Sequence, residues 1–253
     1  MIQGLYLSAN GIVTNSYRED VIANNIANSE TVGFKRDLAL VRQRATAAQE
    51  YPSMADVGDP VLGQYDGGML SMPTYVDSSP GEAEATGNPL DVALQGKGFF
   101  AVKAGGTIRL TRNGQFMVDR EGNLVTSNGT GNLVLDAKQT AIHVDSSLPV
   151  AIDRDGTISQ DGKAVARLGV FTIGEPRQLV AQGGTLLAFP EGEALLPGSA
   201  EMRSGMLERS NVDSTSELTA LMDVQRQLEA NANMIQIQDG TLDKLINDAG
   251  KIS

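Results

Sequence analysis

The C-terminal segment, residues 214–250, carries a repeat that limits what this chain can fold into. It has no proline, and its first glycine is Gly240. Apolar residues alternate three and four positions apart, the heptad spacing of a helix that packs along one face. Ser214 and Glu217 have the spacing of a capping box, so the helix is predicted to begin there. The predicted seam consists of Leu218, Leu221, Gln225, Leu228, Ala232, Ile235, Asp239, Leu242, Ile246 and Ala249.

Such a helix spans about 50 Å and must bury its apolar face against another element. The natural partner is the N-terminal end, because residues 1–44 contain no proline and place apolar residues at helical spacing. Gly4 and Gly11 lower its helix propensity. We expect this helix to stop near Gly33, in the left-handed conformation common at helix ends. The two chain ends should therefore meet, and apolar surface left over should be buried by other subunits.

The middle of the chain predicts an all-β domain. Residues 45–84 are rich in Pro, Gly, Asp and Ser and predict an extended connection, with short strands around residues 68–76. Beyond residue 90, short apolar runs are separated by turn residues. The strand-length runs are 99–102, 107–110, 115–118, 123–126, 133–135 and 167–173, and the hairpin-turn candidates are Asn113-Gly114, Asn128-Gly129 and Asp161-Gly162. Residues 119–124 recur in similar form at 153–158, each copy predicting a tight turn that leads into a strand.

The predicted fold class is α+β. N- and C-terminal helices pack together as a coiled-coil-like domain, into which an all-β domain of short antiparallel strands is inserted. The predicted domains are a terminal helical domain of residues 1–44 and 205–253, a connecting segment of residues 45–84, and an outer β domain of residues 85–204.

Composition excludes several classes of function. The formal net charge of −11 disfavours nucleic acid and anionic membrane surfaces as partners. The absence of cysteine removes disulfides, thiolate metal sites and cysteine nucleophiles. No apolar run is long enough to predict a membrane span, and the first residues lack the charged region of a cleaved secretory signal.

The residues that could support catalysis or ligand binding do not form recognised sites. His143 is the single histidine and is expected to be structural or solvent-facing. Residues 96–98, Gly-Lys-Gly, are followed by Phe-Phe-Ala and predict a β-turn rather than a dinucleotide loop. A calcium loop starting at Asp153 would need Gly and Glu where Ile158 and Ala164 stand. We therefore predict no catalytic residues, no cofactor, no metal and no small-molecule substrate.

Three asparagines near the end of the first helix are unusual, because asparagine competes with the helix backbone for hydrogen bonds. They are Asn24, Asn25 and Asn28. Their amides could satisfy the last carbonyl groups of the helix, or they could bridge to neighbouring chains. The residues alone do not distinguish between these two explanations.

Several blocks of the sequence resemble the bacterial flagellar rod and hook protein family. Residues 23–28 and 31–36 are similar to its N-terminal motif, and residues 86–100 to its central signature. Residues 111–116 and 122–126 continue that signature. Residues 205–213 with 225–226 resemble its C-terminal pattern. The blocks occur in family order and cover both ends and the middle.

The resemblance implies a structural subunit of the flagellar basal-body rod, which crosses the periplasm and transmits torque from motor to hook. The implied partners are copies of the chain, other rod proteins, proximal and distal, and the flagellar type III export apparatus. The chain length favours a rod over a hook protein, and residues 41–80 favour a proximal over a distal rod protein. The residues expected to mediate subunit packing are Leu5, Ile12, Asn24, Asn25, Asn28, Gly33, Phe34, Leu221, Leu228, Ile235 and Leu242.

Two other functions compete with this interpretation. One is an enzyme of the cell envelope, which would need titratable residues clustered in a pocket of the β domain. The other is a cell-envelope binding module that dimerises through its helical ends.

Overall fold

The computed structural model describes residues 2–45, 68–127 and 129–249. It divides into two compact units. The helical unit consists of Met1–Ile26, Ala39–Pro73 and Ser214–Ser253, and the β unit of Ala27–Leu38 and Thr74–Asp213. The predicted helical domain reached residue 44 without interruption, whereas here Ala27–Leu38 belongs with the β unit.

Two long helices and twenty short strands make up the described residues. The helices are α1 (Ile2–Ala27) and α2 (Ser214–Ala249), and one 3-10 helix covers Pro176–Gln178. The strands up to the centre of the chain are β1 (Asp37–Leu38), β2 (Val41–Gln43), β3 (Met69–Ser71), β4 (Tyr75–Val76), β5 (Ala83–Ala85), β6 (Val92–Gln95), β7 (Phe99–Ala104), β8 (Thr107–Thr111), β9 (Phe116–Val118) and β10 (Leu124–Thr126). The remaining strands are β11 (Leu133–Val134), β12 (Val150–Ile152), β13 (Thr157–Gln160), β14 (Lys163–Arg167), β15 (Val170–Thr172), β16 (Val180–Ala181), β17 (Leu186–Ala188), β18 (Leu196–Pro197), β19 (Glu201–Ser204) and β20 (Met206–Glu208).

The α+β fold class is confirmed, with a helix at each end and short antiparallel strands between them. Helix α2 begins at Ser214 as predicted and its 36 residues span about 54 Å. Helix α1 ends at Ala27, well before the predicted stop at Gly33. At this point Asn28 accepts hydrogen bonds from Thr31, through its main-chain oxygen at 3.1 Å and its side-chain oxygen at 3.2 Å. This local turn replaces the next turn of helix.

A two-stranded ribbon of β2 and β3 completes the helical unit. It is tied to α1 by two polar contacts. The Tyr17 hydroxyl donates to the Met72 carbonyl at 2.6 Å, and the Met69 amide donates to the Asn10 side chain at 2.8 Å.

The β unit is built on a nine-stranded antiparallel sheet around β7. Its main path runs β16-β17-β8-β7-β11-β10-β9, with β15 also paired to β7 and β18 to β15. Smaller sheets join β12-β13-β14, β6 with β19, β5 with β20, and β1 with β4. Strands close to the start of the unit thus pair with strands close to its end.

The core of the β unit consists of apolar side chains from both faces of the central strands. Phe100, Val102, Leu110 and Leu124 are fully buried. The Phe100 and Phe116 rings pack edge to face with centroids 5.1 Å apart, a favourable aromatic geometry. This unit therefore has the closed apolar core of an independently folding domain.

The predicted turns had different outcomes. Asp161-Gly162 forms the two-residue hairpin between β13 and β14, with positive φ at both residues. Asn113-Gly114 does not form a hairpin, because β8 and β9 pair with other strands. Asn128 lies outside the described residues. Both copies of the internal repeat are turns leading into strands, with Gly122 and Gly156 at φ +84°.

Candidate functional site: the helix pair and a buried ion cluster

Helices α1 and α2 pack antiparallel with a heptad register. A methyl group on Gly4 would lie 2.7 Å from Gln238 Nε2, and one on Gly11 would lie 2.7 Å from Asn231 Nδ2. Near the other end, Asn25 Nδ2 donates to Glu217 Oε2 at 3.4 Å. These contacts are seven and fourteen residues apart on both helices, so the register is constant along the pair.

Half of the predicted seam is where the sequence placed it. Leu221, Leu228, Ile235 and Leu242 are half-buried in the helical unit. The other half is displaced by one residue: Val224 is 1% exposed, whereas the predicted Gln225 is exposed. The displacement follows from the partner helix, since the contacts with α1 select the row Glu217, Val224, Asn231 and Gln238.

Most of the α1 side of this seam is small and polar, and the helix also buries the apolar residues Val21 and Ile22 near its C-terminal end. Gly4 and Gly11 admit amide side chains from α2, and Ser8, Asn15 and Asn25 are buried. Polar groups in a helical seam select one register at some cost in stability. Leu5 and Ile12, predicted as packing residues, are half-buried.

The three asparagines behave differently from one another. Asn25 is 1% exposed and its amide bonds to Glu217 of the same chain. Asn28 belongs to the β unit and bonds to Thr31. Asn24 is exposed. The bond of Asn25 to a carboxylate of α2 and the bond of Asn28 to Thr31 correspond to neither of the two explanations.

The β unit contains a buried ion cluster, defined here as Lys35, Arg112 and Glu208. One Glu208 oxygen accepts from Lys35 Nζ at 2.6 Å and from the Gly81 amide at 2.9 Å. Its other oxygen accepts from Arg112 NH1 at 3.0 Å. Lys35 Nζ also donates to the Ser79 carbonyl at 2.7 Å. The three charged side chains are at most 3% exposed, so water contributes little to their solvation.

Burial lowers the pKa of Lys35 from its usual value, and the attraction of the Glu208 carboxylate partly offsets that effect. Arg112 is further held by the Gly96 carbonyl, which accepts from NH2 at 2.6 Å. Its guanidinium also lies over the Phe99 ring, 5.1 Å from the centroid. Each charge in the cluster therefore has fixed partners, as buried charges require, and the single carboxylate is shared between the two cations.

Glycine is required beside this cluster. Gly33 has φ +69°, and a side chain there would lie 2.3 Å from the Asn113 amide nitrogen. Its own amide donates to the Glu208 carbonyl at 2.7 Å. The next residue, Phe34, is 2% exposed. Gly33 and Phe34, predicted as subunit-packing residues, thus make their contacts inside the β unit.

The ion cluster and the Phe99 ring that Arg112 contacts bring together segments that are far apart in the sequence. Lys35 comes from the N-terminal motif, Phe99 from the central signature, Arg112 from its continuation and Glu208 from the C-terminal pattern. The sequence identified these residues only as parts of family motifs and did not predict that their charges pair. The one signal available was that charged residues stand within motifs made of glycine and apolar residues.

The acidic side chains and the histidine in the described part of the chain do not gather into a metal-binding group. They include no group of three or more His, Asp or Glu that could hold a metal ion. His143 is exposed and its Nδ1 lies 3.4 Å from Asn123 Oδ1. Within the same described part, neither helix has a stretch apolar enough for a membrane span.

The chain has the predicted architecture of a helix pair with an inserted β unit, and its class is defined by comparison with flagellar axial proteins. Three family models match it: "flagella basal body rod protein" over residues 5–35, "flagellar hook protein FlgE/F/G D1 domain" over residues 93–160, and "flagellar basal body rod FlgEFG protein C-terminal" over residues 203–248.

Curated relatives match over nearly their whole length. The chain is 33% identical to flagellar basal-body rod protein FlgF of Caulobacter vibrioides, with 100% of both chains covered. It is 30% identical to FlgG of Bacillus subtilis, covering 98% of this chain and 99% of the relative. The chain belongs to the flagellar basal-body rod protein family and is a structural subunit of the basal-body rod.

Proposed function

We propose that this subunit assembles into the rod through the outward faces of its helix pair. The observation that carries the proposal is the set of large apolar side chains on both helices that are 38–69% exposed. A monomeric soluble protein rarely exposes so much apolar surface, so neighbouring helices are expected to cover it. These outward residues are Tyr6, Leu7, Val13, Leu218, Met222, Met234, Ile237, Leu245 and Ile246.

The polar seam supports the same arrangement. A helix pair that folded for its own sake would bury its largest apolar residues between the helices. Here Gly11 and Asn231 meet inside, whereas Val13 and Ile237 are 65% and 62% exposed. Contacts of outward faces between successive subunits would be heterologous and would extend along an axis without closing.

The residues predicted for packing receive two roles in this proposal. Leu5, Ile12, Leu221, Leu228, Ile235 and Leu242 hold the helix pair in register. Asn25 fixes that register through Glu217, and Asn24, which is exposed, is offered to a neighbour. Asn28, Gly33 and Phe34 act within the β unit, at the point where the chain leaves α1.

The proposed partners are copies of this chain, other rod proteins, proximal and distal, and the flagellar export apparatus. The proposal gives the chain no enzymatic activity and assigns it torque transmission across the periplasm. The names of the relatives support a rod position, and residues 41–80 favour the proximal part. Rods isolated from cells that lack the distal rod protein should still contain this chain. Its absence from them would contradict a proximal position.

The assembly proposal is tested by placing a charge on the outward faces. Val13→Asp and Ile237→Asp should abolish rod assembly and swimming, because a charge buried between subunits costs several kcal/mol. The matched control is Val165→Asp, on β14, where the side chain is 48% exposed. Basal bodies are isolated and probed for the chain, and secretion into the medium confirms export.

Normal swimming of both outward variants would overturn the proposal. Leu228→Asp and Ile235→Asp test the inner seam and should also abolish assembly while the β unit stays folded. Sedimentation of the purified chain separates the competing function, since a closed dimer would favour a dimerising envelope module over an axial subunit.

A further inference from the structure

The β unit contains a cleft of about 530 Å³ that the packing function does not use. The buried residues Phe99 and Arg112 line it together with an aromatic ring and two prolines. A volume of this size is typical of sites for small molecules or short peptide segments. The side chains that matter here are Tyr75, Pro80, Lys97, Phe99, Pro176 and Arg177.

The mouth of the cleft is positively charged, although the chain as a whole carries −11. Lys97 and Arg177 are exposed, and neither has an ion-pair partner among the described residues. The acidic neighbours Asp77 and Glu175 are outside the lining, and each accepts a hydrogen bond from a residue two or three positions further along. A cleft with low-dielectric walls concentrates the field of such cations.

The chain fixes the position of Lys97. Gly96 and Gly98, on either side, have φ +120° and +143°. A side chain at Gly98 would lie 2.5 Å from Val170 Cγ1. The Gly96 carbonyl is held by Arg112. Lys97 is therefore the one side chain that this turn presents, beside the buried guanidinium of Arg112, which shares the Glu208 carboxylate with Lys35.

We propose that this cleft binds an acidic peptide segment of a protein partner, with its carboxylates at Lys97 and Arg177 and its apolar side chains against Tyr75 and the prolines. A carboxylate accepts hydrogen bonds from both kinds of cation, and arginine matches it bidentately. The apolar walls give an extended peptide more contact than an isolated small anion would have. The proposal goes beyond helix packing and does not depend on it.

The test uses the full chain and a fluorescein-labelled Glu-Leu-Glu-Leu peptide, followed by fluorescence anisotropy. We expect a dissociation constant of about 0.1–1 mM at low salt. Lys97→Glu with Arg177→Glu should weaken binding at least about tenfold, because two attractive charge contacts become repulsive. The control, Lys103→Glu with Lys163→Glu, changes the net charge equally at exposed strand positions outside the cleft.

The proposal is supported if the control variant binds like the parent chain and a Gln-Leu-Gln-Leu peptide binds at least about tenfold more weakly. It is overturned if the peptide does not bind, or if the cleft and control variants lose the same affinity. Competition by acetate or phosphate as strong as that of unlabelled peptide would also overturn it, since the cleft would then hold a simple anion. Swimming of the cleft variant is measured separately, so that a failure of peptide binding is distinguished from a failure of helix packing.

Discussion

The two units of this chain distribute polarity in opposite ways. The β unit buries Phe100, Val102 and Leu110 completely and pairs the charges of its ion cluster. The helical unit lines much of its seam with glycine and amides and exposes Val13 and Ile237. The first pattern belongs to a domain that completes its folding alone. The second belongs to a unit whose apolar surface is completed by other subunits.

The largest expected effect concerns the ion cluster. Glu208→Gln removes the one carboxylate between Lys35 and Arg112 and leaves two buried cations without their counter-charge. The free energy of unfolding should fall by about 3–5 kcal/mol. Urea unfolding followed by near-ultraviolet circular dichroism measures it.

The matched control for this experiment is Glu84→Gln. Its side chain is 64% exposed and lies 3.9 Å from Arg209, so the change should stay within about 0.5 kcal/mol. Equal effects of the two variants would mean that the buried cluster does not stabilise the β unit.

Replacing glycine by alanine should have opposite effects on stability in the two units. In Gly114→Ala the new methyl group would lie 1.8 Å from the Val92 carbonyl oxygen, and the main chain there must move, at a cost of about 3 kcal/mol. In Gly11→Ala it would meet the end of the Asn231 side chain at 2.7 Å. That amide can rotate away, and alanine gains up to about 1 kcal/mol of helix propensity. Thermal unfolding of both variants compares them, and the opposite ranking would mean that the helix seam tolerates a new methyl group less well than the β unit does.

Limited proteolysis compares the stability of the helical unit with that of the β unit. The purified chain should lose its helices first and leave a resistant fragment that contains residues 85–200, because low-stability regions open and are cleaved before the core. Mass spectrometry of a time course with a broad-specificity protease identifies the fragment. Intact termini together with cuts in the middle would mean that the stability of the two units is reversed.

The smallest effect is a pH dependence of opposite sign at two aspartates. Burial raises the pKa of Asp37 to about 6, so its ionisation opposes folding and stability falls as the pH rises through about 6. Asp37→Asn should remove that loss at neutral pH. The exposed Asp155 has a lowered pKa, because it accepts hydrogen bonds from the Thr157 amide and hydroxyl, and its contribution is lost as the pH falls.

The measurement is the free energy of unfolding of the parent chain and both variants, from the usual pKa of an aspartate up to neutral pH. Asp155→Asn should slightly lower stability at neutral pH, the reverse of Asp37→Asn. The same sign for both variants would contradict the assignment of burial as the cause at Asp37.

The periodic and turn signals of the sequence predicted the two helices and a strand-rich middle, but they missed the end of α1 and several strands, β12 and β16 among them. The row Leu221, Leu228 and Ile235 predicted the length and one edge of α2, since helical spacing is a local property. Asp161-Gly162 predicted its hairpin because two positive φ angles suit Asp and Gly. The hairpin predicted at Asn113-Gly114 does not form, because β8 and β9 pair with other strands rather than with each other.

Residue patterns along the chain were enough to predict its class, its helical ends, its strand-rich middle and the motifs of the rod family. The folded structure was needed to show that Val224 rather than Gln225 faces α1, and that Lys35, Arg112 and Glu208 meet in one buried cluster. The reason is physical: spacing along the chain records how one element repeats, whereas the register between two helices and the pairing of distant charges depend on which surfaces come together.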